Sequence, residues 1–308
     1  MKTYWNTNQG LKVLPEWEPN CWIQVTCPTD EDQRDLEERF HIPDYFMSDI
    51  SDNDERARYE YDDGWMLIIL RIPYVKEIRS RTPYTTVPLG IIHKRDVTIT
   101  VCYYETNMMI DFVSYQQKRG VGFVDYVDMI FRLFLSSAVW YLKRLKQINV
   151  LLEEAKRNLD HSIDNEDLIG LSRLQDSLTY FVTSIRGNET LLSKLKFKLP
   201  VDELDAELIE DVTIEMNQAR ETTNIYANIL DSTMETYASI INNNMAGVMK
   251  QMTSISIILM LPTLIASIFG MNLLSGIETE WWGMPVVVGG SLLITGLFYW
   301  IFRKRAWI

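Results

Sequence analysis

The sequence predicts an α+β cytoplasmic domain joined by one very long helix to a two-span α-helical membrane domain. Three observations carry that prediction. The first hundred or so residues mix strand and short-helix patterns, and from residue 124 onward the apolar spacing turns helical. From Asp202 there is no glycine before Gly247 and no proline before Pro262, so nothing interrupts a helix. Finally, residues 251–277 and 281–302 are free of charged side chains, and each run reaches the roughly 20 apolar residues that cross a bilayer.

Charge divides the chain in the same way. Of 30 basic residues only Arg303, Lys304 and Arg305 follow Lys250, and of 42 acidic ones only Glu278 and Glu280 do. The first 250 residues therefore carry a net charge of −13, against −12 for the whole chain. An acidic domain of this kind is a poor nucleic-acid binder, because a phosphate backbone selects a basic face. With 47% apolar residues in the chain, wholesale disorder is excluded too.

Taken in order, residues 21–26 (CWIQVT) read as a strand. Thr29 and Asp32 have capping-box spacing and open a short helix toward Phe40, with Asp where the longer Glu or Gln is usual. A second short helix starts at Ile42-Pro43 and runs to about Ile50. Residues 65–72 (WMLIILRI) form a buried strand, and residues 84–93 and 96–104 pair as a hairpin through Lys94-Arg95-Asp96. Residues 124–159 and 167–195 form an antiparallel helical hairpin that Pro200 ends. A stripe of Leu204, Leu208, Val212, Met216, Ala219, Leu230, Met234 and Tyr237 then marks one helix running into the first span. At ~1.5 Å per residue it is on the order of 100 Å long, and such a helix must be clothed by neighbours, which favours an oligomer.

The expected divisions are 1–122, an α/β domain; 123–200, a helical hairpin; 201–250, a stalk helix; 251–272, the first span; 273–283, an outer loop; 284–302, the second span; and 303–308, a basic tail. Residues 1–10 lack the apolar stretch of a signal peptide, so the acidic domain is expected inside the cell. Arg303, Lys304 and Arg305 place the end of the second span on the same side, which puts both termini in the cytoplasm.

Little here suggests catalysis. His41, His93 and His161 fall in different elements, and Gly-rich phosphate loops, nucleophile elbows and zinc-protease motifs are missing. Cys21, Cys27 and Cys102 are too few and too scattered for a disulfide framework or a four-ligand zinc site, so the chain reads as a protein that is not an enzyme and has no organic cofactor.

The first span is unusual for a lipid-facing anchor. Met249, Ser256 and Thr263 recur every seven residues, and Met252, Met260 and Ser267 fall on nearly the same face. Small hydroxyl residues often pack helix against helix, and that reading stays open. The other reading is a pore wall, weakly polar and without fixed charge. The span ends in Gly270, Met271 and Asn272. A helix C-terminus brings partial negative charge there, and a ring of asparagine carbonyls suits a cation that keeps its water shell, as Mg2+ does.

The tripeptide Gly270-Met271-Asn272 at the end of the first of two C-terminal spans resembles the signature of CorA-type magnesium transporters. Val248-Met249-Lys250, Met260, Thr263, Pro285-Val286-Val287 and the tail 303–308 (RKRAWI) fit the same family. The resemblance implies a homopentameric funnel in the cell's inner (plasma) membrane, with five first spans lining the pore. It implies passive, channel-like transport of Mg2+, with Co2+ or Ni2+ as further cargo, into the cytoplasm. Gly270, Met271 and Asn272 would form the selectivity filter. Met249, Met252 and Met260 would be constrictions or gates, with Ser256 and Thr263 lining wider parts. Asp49 and Asp211 would hold regulatory Mg2+ between subunits, and Glu278 and Glu280 would gather cations outside. Two departures stand out. Ala246 replaces an expected asparagine, with Asn242, Asn243 and Asn244 just upstream, and the family's acidic Met-Pro-Glu-Leu loop is absent. The alternatives are a Zn2+ transporter of the same family and a membrane-anchored divalent-cation sensor without flux.

Overall fold

A computed structural model describes residues 1–7, 10–76, 80, 82–161, 165–201, 203–270, 280–305 and 307. The chain forms two compact units, Met1–Ser232 and Thr233–Ile308.

The first unit is built on a seven-stranded mixed sheet. Its strands are β1 (Lys2–Asn6), β2 (Lys12–Leu14), β3 (Trp22–Thr26), β4 (Arg58–Asp62), β5 (Trp65–Val75), β6 (Tyr84–Lys94) and β7 (Val97–Cys102), in the order β2-β1-β3-β7-β6-β5-β4. Only β3 and β7 pair in parallel; the other neighbours are antiparallel. The predicted hairpin is β6–β7, with Lys94 opposite Val97 and Arg95 left-handed at φ 55° in the turn. A second hairpin, β4–β5, turns on Asp63 and Gly64, both at positive φ, which is the backbone that Asp-Gly pairs favour.

Two layers of helices cover the sheet. On one face α1 (Asp30–Phe40) and α2 (Asp44–Ser51) bring Leu36, Phe46, Met47 and Ile50 onto Ile23, Val25, Leu67, Ile69, Ile92, Ile99 and Val101. The capping box of α1 does form, since Thr29 and Asp32 bond each other's backbone at 3.2 Å; the short Asp side chain reaches. The alternate residues Met66, Ile68, Leu70, Val87, Leu89 and Ile91 are also buried, on the face that α4 (Tyr126–His161) and α5 (Asn165–Lys198) cover. That two-sided burial explains the unbroken apolar run in β5. Helix α3 (Asn107–Arg119), which the sequence reading missed, is capped by Thr106 and closed by Gly120 at φ 68°. Its Phe112 packs edge-on to Trp22, whose ring also meets Phe123 and whose indole N–H donates to Thr100 Oγ1 at 2.9 Å.

Strand β4 stops pairing at Arg58 opposite Ile69, so the next outward-facing backbone groups of β5 lack a strand partner. Asn188 of α5 supplies one. Its amide accepts from the Arg71 N–H at 3.0 Å and donates to the Arg71 carbonyl at 2.7 Å, as a neighbouring peptide group would. The Arg71 guanidinium is buried and donates to the carbonyls of Asn53, Glu55 and Thr86 and to Thr86 Oγ1. Burial lowers its pKa, and the four neutral acceptors replace the water it has lost. The segment between α2 and β4 is thereby tied to the sheet.

Helix α6 (Glu203–Phe269) is the predicted long helix, unbroken over 67 residues. In the first unit it lies along α5, burying Ile209, Val212, Met216, Ala219, Thr223 and Leu230, with Arg220 Nε on Glu189 at 3.0 Å and Lys196 Nζ on Thr213 at 2.9 Å. Of the predicted stripe, Leu208 and Met234 are only half-buried, and the Leu204 side chain lies outside those described. The second unit contains the rest of α6 and α7 (Gly283–Lys304). Both helices are long and apolar enough to span a bilayer, yet only 6% of the most apolar window of α6 and none of that of α7 is buried in the chain itself. Pro262 sits inside α6, where its missing N–H removes one backbone hydrogen bond.

His93 gives the first unit a pH dependence. Its ring stacks on Tyr126 at 3.8 Å, and Nδ1 bonds Thr98 Oγ1 at 2.9 Å. Burial pushes its pKa from 6.5 down to about 4, against the hydrogen bond at Val97 and the charges of Asp125 and Asp96. The unfolded imidazole then binds a proton that the folded one refuses, so stability is full above pH 6.5 and falls as pH drops toward 4. The loss is at most about 1.4 kcal/mol per pH unit. Amide-exchange protection of β6 should fall by about 1–2 kcal/mol between pH 6.5 and 5 in the wild type, and by clearly less in His93→Gln.

Candidate functional site: an uncharged stripe and an acidic cluster

The pore-lining candidates lie on the second half of α6. At about 100° per residue, Met249, Ser256, Met260 and Thr263 fall within about 60° of one another around the helix, and Met252 about 20° beyond. All five are exposed in the single chain, the three methionines by 63–68%. Ser256 Oγ donates to the Met252 carbonyl at 2.9 Å and Thr263 Oγ1 to that of Leu259 at 3.1 Å. Each hydroxyl thus spends its only proton on its own helix and presents oxygen lone pairs outward. Ser254, two residues from Ser256 and on another face, is fully buried in the second unit. Within the single chain the hydroxyls of this span therefore divide into a packed one and an exposed row.

At the end of the stripe α6 closes at Phe269, and the Gly270 N–H donates to the Ala266 carbonyl at 2.8 Å. A Cβ at Gly270 would stand 3.1 Å from that same carbonyl oxygen, so the helix exit is tight. Met271, Asn272 and Glu278 lie outside the described residues. Glu280 is exposed, and its carbonyl accepts from the Gly283 N–H at the start of α7. Arg303 and Lys304 occupy the last turn of α7 and Arg305 its C-cap, where positive charge offsets the helix dipole. Lys304 Nζ lies 5.1 Å over the Trp300 ring and Lys250 Nζ 5.3 Å over that of Trp307. Charged and aromatic groups thus cluster at this end of the spans, as they do at a membrane–water interface.

The two regulatory candidates fall on different elements. Asp211 lies exposed on α6 with no ion pair among the described residues, and α2, which carries Asp49, packs chiefly on β6 and β7. Among the described residues no direct contact joins Asp49 to Asp211. Asp49 is not free within its own chain. Its Oδ2 lies 2.6 Å from Arg58 Nη2, and the same guanidinium bonds Glu55 and Glu60, the latter at 3.0 Å. Burial opposes the Arg58 charge, but the hydrogen bonds and charges of Glu55 and Asp49 outweigh it and raise its pKa. The sequence reading singled out Asp49 alone; Arg58, Glu55 and Glu60 carry no spacing signal that joins them to it. Among the described residues no group of three or more His, Cys, Asp or Glu is placed to hold a metal ion.

Residues 17–304 match the family of the CorA-like Mg2+ transporter protein. The chain belongs to that family. A curated relative, the cobalt/magnesium transport protein CorA of Methanocaldococcus jannaschii, is 28% identical over 93% of this chain and 91% of its own. The protein of the same name from Thermotoga maritima is 23% identical over 93% and 83%. The complete structure of the M. jannaschii CorA magnesium transporter superposes with a TM-score of 0.85 at 25% identity, covering 100% of this chain and 99% of that one. The full-length CmaX protein shares the fold at a TM-score of 0.73 and 15% identity, covering 99% and 97%. This family chain therefore has the CorA fold and is a membrane protein. Its acidic first unit carries the regulatory candidates, and its spans carry the exposed stripe.

The seat of Asp49 can be tested by packing. A Cβ added at Gly90 of β6 would meet Ile50 Cδ1 at 2.2 Å and Cγ1 at 2.5 Å, and Ile50, next to Asp49, is fully buried. Gly90→Ala should destabilise the first unit by about 1–3 kcal/mol through overpacking. Thermal unfolding of the full chain in detergent would read this, and Gly170→Ala, which meets nothing within 4 Å, is the control.

Proposed function

We propose that this chain assembles as a homopentamer in the plasma membrane and conducts Mg2+ passively into the cytoplasm through a pore lined by α6. The observation that carries the reading is the exposed row of Met249, Met252, Ser256, Met260 and Thr263, which bears no charge and turns hydroxyl lone pairs outward. Such a wall neither repels a dication nor binds it so tightly that it cannot leave. Family membership and the magnesium and cobalt in the relatives' names support Mg2+ as cargo, with Co2+ also accepted; Ni2+ is a further candidate cargo.

The roles follow from charge and hydration. Mg2+ sheds water reluctantly, so a ring of Asn272 carbonyls with Gly270 and Met271 would meet the hydrated ion at the outer mouth. Glu278 and Glu280 would raise the local cation concentration there. The methionines close the narrow points by excluding water, and opening rewets them. The driving force is the membrane potential, worth ~4.6 kcal/mol for two charges at 100 mV. With Arg303, Lys304 and Arg305 at the cytoplasmic face, both termini lie inside. Cytoplasmic Mg2+ bound at Asp49 and at Asp211 of an adjacent subunit would draw the acidic first units together and close the pore.

Mg2+ entry into proteoliposomes, reported by an internal dye, tests the reading. The wild type should conduct. Asn272→Ala should lose about tenfold or more, as expected for removing one hydrogen-bonding group of about 1.4 kcal/mol from each subunit's filter. Ser256→Lys should abolish entry by placing a ring of charge in the pore. Entry unaffected by Ser256→Lys would show that the row is packing, and a correctly assembled wild type that conducts no divalent ion would identify a sensor.

A further inference from the structure

Regulation by Asp49 has a feature that a bare carboxylate would not. Arg58 reaches it from the first residue of β4 and holds three carboxylates at once: Asp49, Glu55 and Glu60. The four side chains together carry a charge of −2. They are within reach of solvent, with Asp49 26% and Arg58 30% exposed, so a hydrated ion can approach. Yet Asp49 Oδ2 already accepts from Arg58 Nη2 at 2.6 Å, so a positive charge sits beside the carboxylate.

We propose that Arg58 is a displaceable counter-ion that sets the cytoplasmic Mg2+ concentration at which the Asp49 site fills. The proposal rests on the reading of Asp49 as a regulatory carboxylate given above. Its physical content is a competition. Mg2+ and the Arg58 guanidinium repel each other at Asp49, so the dication is held well only when Arg58 moves away. Arg58 can do so without being stranded, because Glu55 and Glu60 still hold it. Glu60 accepts from Nε at 3.2 Å and lies 3.0 Å from Nη2. Glu55 is fixed in turn, since its backbone carbonyl accepts from the buried Arg71 guanidinium at 3.1 Å. The guanidinium can therefore move from three carboxylates to two while the dication takes the third. The site is poised at a higher Mg2+ concentration than Asp49 alone would give, and the poise depends on how strongly Glu55 and Glu60 pull Arg58 away.

The test is the half-inhibitory Mg2+ on the cytoplasmic side of the full-length protein in proteoliposomes. Arg58→Gln should lower it by about threefold to tenfold, the range of a partly exposed ion pair lost together with one repelling charge. Glu60→Gln should act the opposite way and raise it, because Arg58 then clings to Asp49. Opposite shifts cannot come from a general loosening of the fold; shifts in the same direction, or no decrease in Arg58→Gln, would overturn the proposal. Asp49→Asn is measured alongside. If it weakens inhibition while Arg58→Gln does not sharpen it, the Asp49 reading stands and Arg58 has no such role. If Asp49→Asn leaves inhibition unchanged, the reading of Asp49 fails and the proposal falls with it.

Discussion

Two helices of this protein expose apolar side chains that no other part of the chain covers. In α7 none of the most apolar window is buried, and in α6 almost none. Leaving that surface in water is costly at about 25 cal/mol per Å² of apolar area. Lipid can cover α7, which is apolar around its circumference. Lipid is a poorer cover for the face of α6 that carries Ser256 and Thr263, because hydroxyl oxygens facing hydrocarbon find no donor. In the proposed assembly, copies of the same face gathered around water would satisfy both kinds of atom. The proposed assembly and the proposed wet path would thus answer one constraint.

The first unit solves a different problem. Its sheet is buried on both faces, which fixes the register of every strand that contributes a side chain to each layer. Special contacts then position the acidic edge. Asn188 completes the ladder where β4 stops, Arg71 ties down the segment that carries Glu55, and Gly90 leaves room for Ile50 beside Asp49. The regulatory role proposed for Asp49 would need this rigidity, because the energy of a bridged ion falls quickly when its ligands wander.

Much of this was legible in the residues and some was not. The spans and the long helix follow from the placement of charge, glycine and proline, which local rules read well. The β6–β7 hairpin follows from two apolar runs about a short polar turn. Strand β4 (RYEYD) escaped because it is short and has no aliphatic residue, although Tyr59 and Tyr61 alternate with charged residues and Asp63-Gly64 signalled its turn. Helix α3 escaped although Thr106 and Gly120 bracket it, since its apolar residues are interleaved with polar ones. In the site, the exposed row on α6 was readable because it repeats along one helix. The grip of Arg58 on Asp49 was not, because which of many carboxylates a guanidinium chooses is settled by tertiary geometry.

The central claim is that the row on α6 faces water in the assembled protein. Single cysteines placed along residues 249–267, in a background where the exposed Cys27 is replaced by serine and the buried Cys21 and Cys102 are kept, would test it through block of Mg2+ entry by a membrane-impermeant thiol reagent. The account predicts block at Met252→Cys, Ser256→Cys, Met260→Cys and Thr263→Cys, and none at Ser254→Cys. Equal labelling on all faces, or block confined to the Ser254 face, would contradict it.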